Sequence, residues 1–126
     1  MWEGTLPSRI IVSRELAELL KLLAHPDRLR LIEELRFGER DVTSIAAALN
    51  LPATRVSQHL APLRAHRIVE DRREGRNHYY RLTRPAIAAW IVEALEFVEV
   101  RNRIGEAAHI EQVRELWTAD ANPASS

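Results

Sequence analysis

The chain has no cysteine, which excludes disulfide bonds, thiolate metal ligands, thiol redox sensing and thiol nucleophiles together. Glycine is scarce, with 4 in 126 residues, so no phosphate-cradling glycine loop is available. No apolar run approaches the roughly 18–20 residues that span a bilayer. Residues 1–11 lack the basic stretch and apolar core of a secretory signal, so a cytoplasmic protein is expected. What remains is ordinary globular material, 46% hydrophobic and 29% charged, at a length that suits one domain with its own core.

Net charge is also absent, since 18 basic and 18 acidic side chains cancel. Their distribution is uneven. Residues 54–84 carry 8 arginines against 3 acids, a net of +5, together with three histidines. Residues 1–53 carry a net of −1 and residues 85–126 a net of −4. A phosphate backbone responds to the local field and not to the average, so the middle window is the candidate contact region.

Hydrophobic spacing sets the elements. Leu16, Leu19, Leu20 and Leu23 fall on one face of a helix over 13–23, ended by Pro26, with His25 at the break in a structural role. A second helix turns Leu29, Ile32 and Leu35 inward and stops at Gly38. Two short helices follow, Thr43–Leu49 and Thr54–Ala65, separated by Asn50-Leu51-Pro52-Ala53. That spacing is the signature of a helix-turn-helix over 43–65. Val42, Ile45, Ala46 and Leu49 form the inward edge of the first, and Val56, Leu60 and Leu63 that of the second. Pro62 removes one backbone donor inside the second helix, which predicts a local kink after Gln58.

At 68–82 the period changes to strand, tight turn at Gly75, strand, an arginine-rich ribbon placed as a wing. Beyond Pro85 the residues Ile87, Trp90, Ile91, Ala94, Leu95 and Val98 again repeat as a helix, continuing weakly to 117 with Gly105 a break point. The ends 13–23 and 86–117 offer more apolar surface than a small winged core can cover, which points to a dimer interface. Residues 119–126 are expected to be a disordered tail. The expected fold is therefore one domain, 1–126, mainly α with a small β-hairpin: a winged helix-turn-helix dimerising through its N- and C-terminal helices.

Three stretches in order resemble the ArsR/SmtB family of bacterial winged-helix repressors. They are Leu23-Ala24-His25-Pro26-Asp27-Arg28-Leu29-Arg30, then Val56-Ser57-Gln58-His59-Leu60-Ala61-Pro62-Leu63-Arg64, then Glu74-Gly75-Arg76-Asn77-His78-Tyr79-Tyr80-Arg81-Leu82. The likeness covers residues 13–100. It implies a homodimeric repressor that binds a near-palindromic operator and releases it when an effector binds. The departures concern sensing. Where metal sensors of the family carry Cys-x-Cys, this chain has Asp41-Val42-Thr43. At the positions of the family's C-terminal-helix metal site it has Arg84, Ala86, Phe97 and Val100, none of which binds a metal. Arg67 stands where the family commonly has glycine, a position that strains arginine if it is left-handed.

The candidate DNA reader is Thr54, Arg55, Ser57, Gln58 and His59 at the start of the second helix. Arg55 suits a bidentate contact to guanine and Gln58 one to adenine. Arg72, Arg73, Arg76, Asn77 and His78 in the wing suit phosphate or the minor groove. Thr43 and Ser44 offer hydroxyls and backbone N–H groups to a phosphate, or are plain caps.

The expected partners are double-stranded DNA and a second copy of the chain, with no cofactor, no resident metal and no membrane. The effector, necessarily not a thiol reagent, is left open. One candidate is an organic molecule near Trp90, Ile91, Phe97 and Trp117. A weaker one is a metal held by Glu106 and His109 with Gln112, completed across a dimer. Control without a ligand is the third. Catalysis is not expected, because Ser57 and His59 point to different sides of one helix and no His-x-x-x-His pair exists. The alternative to a repressor is a winged-helix interaction module with little sequence-specific DNA binding.

Overall fold

A computed structural model of the chain describes residues 6–98 and 106–119, with side chains from residue 7 and from residue 111 in the two segments. Six α-helices and three short strands follow one another in the order α1 (Leu6–Leu23), α2 (Pro26–Leu35), β1 (Arg40–Asp41), α3 (Val42–Leu49), α4 (Ala53–Ala65), β2 (Val69–Glu74), β3 (Asn77–Leu82), α5 (Ala86–Ala94) and α6 (Glu106–Thr118). A 3₁₀ turn, Leu95–Phe97, closes α5. The fold is mainly helical with one antiparallel sheet of order β1-β3-β2.

The centre of the molecule is where α2, α3 and α4 meet the sheet. Leu31, Ile32, Leu35, Ile45, Leu60, Leu63, Val56 and Val69 are almost fully withdrawn from solvent there. Their spacing explains the helices. Val56, Leu60 and Leu63 fall on one stripe of α4, and Ile45 and Leu49 on one stripe of α3, so each helix is fixed by a single buried face. Leu31 belongs to this core beside Ile32 and Leu35, whereas Leu29 is only half-buried.

Local chemistry sets the helix ends. His25 is the N-cap of α2, its Nδ1 accepting the Asp27 N–H at 3.1 Å ahead of Pro26. Asp41 caps α3 by accepting the Ser44 N–H at 3.3 Å. Asn50 ends α3 in a left-handed conformation at φ 54, with the Leu51 N–H donating to the Ala46 carbonyl at 3.0 Å. Pro52 then opens α4 without any side-chain cap. α4 continues through Pro62 to Ala65 as one unbroken helix.

Several expectations are adjusted. α1 begins at Leu6, not at residue 13, and α6 is a helix separate from α5. The hairpin gains β1 as a third strand, Arg40 pairing with Tyr80 and Asp41 with Tyr79. The tail over 120–126 and the side chains of Glu106 and His109 lie outside the described residues. No described helix is long and apolar enough to cross a membrane.

Candidate nucleic-acid interface

α4 is fixed by its buried stripe, and the same geometry sends its other residues outward. At 100° per residue, Thr54, Arg55, Ser57 and Gln58 fall on the arc opposite Val56, Leu60 and Leu63, and all four are exposed. The Arg55 side chain has no hydrogen bond or ion pair to any described residue. No acidic residue stands in the first turn of α3 or α4. The exposed start of α4 therefore keeps its positive end, unopposed by any carboxylate of its own first turn.

His59 is placed differently from its neighbours. It lies at the edge of the buried stripe, half-buried, with its ring 4.4 Å from that of His25. Its Nε2 is 3.5 Å from an Asp27 oxygen, and its Nδ1 accepts from Arg28 Nε at 3.4 Å. Burial, then the neighbouring His25, holds His59 below its ordinary pKa of 6.5, so the neutral ring is favoured. His59 joins α4 to the start of α2 rather than facing outward.

His25, Asp27 and His59 are also the one group among the described residues whose ligand atoms lie close enough, within 4.8 Å of one another, to suggest a metal. Their hydrogen bonds argue otherwise. Each imidazole accepts at Nδ1, which leaves the proton of each neutral ring on Nε2. A metal would have to displace the cap of α2 and the Arg28 contact together. The group is built as a hydrogen-bonded brace.

The wing residues divide in the same way. Gly75, at φ +60, is the first of the two residues joining β2 to β3, and Arg76 keeps a negative φ, the pattern of a type II′ hairpin. Arg73, Arg76 and Asn77 are exposed, and neither arginine's guanidinium group has a hydrogen-bonding or ion-pair partner among the described residues. Arg72 is engaged: it donates to Glu39 at 2.7 and 2.8 Å and to Glu74 at 2.8 Å, and stacks over Tyr79. These carboxylates, Glu39 first, hold its guanidinium charged beyond the ordinary arginine range. His78 is half-buried, 2.6 Å from Asp71 and packed on Tyr80. Asp71 also accepts from Arg64 at 3.1 Å, tying the wing to the end of α4. The His78 bond, with Arg64 beside it, keeps Asp71 below the usual carboxylate range.

In α3, Thr43 is exposed, while the Ser44 hydroxyl donates to Asp41 and belongs to the cap. Of the twelve residues singled out by sequence, Thr43, Thr54, Arg55, Ser57, Gln58, Arg73, Arg76 and Asn77 face outward. Ser44, His59, Arg72 and His78 are turned to partners within the chain. Two exposed arginines at the base of the wing, Arg67 and Arg84, entered the sequence reading only as departures from the family pattern, although both belong to the +5 window.

Known proteins carry the same design. A model of bacterial regulatory proteins of the arsR family matches residues 25–71. The chain is 42% identical over 93 residues to the biofilm growth-associated repressor of Agrobacterium fabrum, covering 74% of this chain and 79% of that protein. It is 40% identical over 72 residues to the transcriptional repressor PagR of Bacillus anthracis, covering 56% of this chain and 72% of that one. In three dimensions it matches the transcriptional repressor BigR of Xylella fastidiosa with a TM-score of 0.64 at 32% identity, over 78% of this chain and 100% of that one.

Proposed function

This chain belongs to the ArsR family of bacterial regulatory proteins, which are transcriptional regulators and not enzymes, and from that premise we propose that it is a homodimeric, sequence-specific DNA-binding repressor. One observation carries the reading: Thr54, Arg55, Ser57 and Gln58 project together from the uncapped start of α4, opposite its buried stripe. In the major groove, Arg55 pairs with guanine and Gln58 with adenine, while Thr54 and Ser57 set the register. Arg73, Arg76 and Asn77 hold the flanking backbone or minor groove, and Thr43 meets a phosphate at the start of α3. Ser44, His59, Arg72 and His78 position the reader by bracing it from behind.

The whole chain, 1–126, acts as one winged-helix unit whose α1 and C-terminal helices form the dimer arms. Exposed Ile10, Ile11, Val12 and Leu20 on α1, with Phe97 and Leu116 beyond the wing, support this. The operator is then a near-palindrome, and its release follows a non-thiol effector, since no cysteine is present. Fluorescence anisotropy on duplex DNA tests the contact. A dimer touching 6–10 phosphates loses about 10³–10⁵ in affinity between 50 and 200 mM salt. A protein-interaction module in the winged-helix form gives weak binding at every salt concentration.

A further inference from the structure

Between α1, the junction of α4 with β2, and the start of α5 lies a groove of about 860 Å³. Leu16, Leu19, Ile68, Ile87 and Trp90 supply its apolar wall. Its size is that of a small-molecule site, roughly 300–1,000 Å³. Among the described residues its charged lining is Arg67 and Arg84, both exposed, and neither guanidinium group has a hydrogen-bonding or ion-pair partner there. No carboxylate among the described residues lines it. Arg67 also sits at φ +60, a left-handed conformation that a β-carbon resists and glycine would take freely. An arginine kept in that conformation brings a guanidinium to an apolar groove at a cost in backbone strain, and such strain gathers at functional sites.

We propose that the groove is an effector site for an amphipathic carboxylic acid, its hydrocarbon body against Trp90, Ile87 and Leu16 and its carboxylate on Arg67 and Arg84. Two free guanidinium groups beside an apolar wall complement that class of ligand in both charge and shape. The second copy is placed on residues outside this lining, Ile10, Ile11, Val12 and Leu20 of α1 with Phe97 and Leu116, because an apolar helix laid over the groove would bury both cations unpaired, which is costly. The position carries regulatory weight on the repressor reading, on which this role rests. Arg67 and Ile68 join α4 to β2, with the Arg67 N–H on the Arg64 carbonyl at 3.0 Å and the Ile68 N–H on the Leu63 carbonyl at 2.9 Å. The Ile68 carbonyl in turn accepts the Thr83 N–H at 3.0 Å. A carboxylate drawing on Arg67 pulls on the link that sets the reader helix against the wing.

Trp90 lines the groove and provides the readout. The full-length protein is titrated with octanoate and with octanol while tryptophan emission is followed, Trp90→Phe serving as the control. Octanoate produces a saturable, Trp90-dependent change and binds at least about tenfold more tightly than octanol. Arg67→Gly raises the thermal midpoint by relieving strain, yet weakens octanoate about tenfold, and Arg84→Gln weakens it similarly. Equal binding of octanoate and octanol, no saturable signal, or full octanoate affinity in Arg67→Gly overturns the site. Anisotropy on duplex DNA is run in parallel. Octanoate lowers the DNA affinity of the wild type and leaves that of Arg67→Gly unchanged; unchanged wild-type affinity overturns the effector role. Failure of the wild type to bind DNA at all counts against the repressor reading alone, since the octanoate titration stands without it.

Discussion

Arg55 and Gln58 lie three residues apart on the outward arc of α4, and neither is held by another described side chain. Each suits a bidentate base contact worth about 1–3 kcal/mol of discrimination. Arg55→Ala and Gln58→Ala therefore relax specificity at single operator positions, whereas Arg76→Ala weakens all sequences alike and flattens the salt slope. Binding to a panel of single-base operator variants separates these outcomes. His59, one residue further on, gives a different prediction. Its folded pKa lies below its ordinary 6.5, so the unfolded chain binds its proton first as pH falls. The stability tied to the neutral ring is present above about pH 6.5 and is lost as pH falls through the folded pKa. Urea midpoints of wild type and His59→Asn, measured from pH 7.5 to 5, should converge toward the acid end. At this scale, residue type was legible and residue partner was not. Arg72 reads as a free wing cation until Glu39, 33 positions earlier, is seen to hold it. His59 likewise meets Asp27 across two helices.

Among the elements, those with a buried stripe were readable because a single face decides them. α3, α4 and both wing strands fall within a residue or two of where Leu, Ile and Val spacing puts them, whereas α2 ends at Leu35 with Arg36 as its cap, before the expected stop at Gly38. β1 has two residues and no period, so only its pairing with Tyr79 and Tyr80 reveals it. α1 extends seven residues further back because Ile10, Ile11 and Val12 are contiguous and exposed, giving no face to read. The wing turn offers the sharpest element-scale test. An added β-carbon on Gly75 would meet no atom within 4 Å, so Gly75→Ala probes the backbone conformation alone. Its cost is about 1–2 kcal/mol from the positive φ, seen as a lower urea midpoint with an unchanged slope.

For the whole molecule, the apolar surface left on α1 and beyond the wing is the ground for the proposed dimer. Phe97 is 85% exposed and Leu116 60%, while Ile11, Val12 and Leu20 on α1 are each about half exposed. Analytical ultracentrifugation should give twice the 14.4 kDa of the chain. Ile11→Asp combined with Leu20→Asp should halve that mass and abolish tight DNA binding, because each half-site then loses its partner. On the proposed reading, the positive field, the outward arc of α4 and the two arms belong to a dimer that would read two half-sites about one helical turn apart. Selection of bound duplexes from a random pool, at about 50 and 200 mM salt, tests that claim most directly. An enriched inverted repeat with that spacing is expected, bound far more weakly at the higher salt. Recovery of unenriched DNA, held weakly and shed entirely by salt, would contradict it.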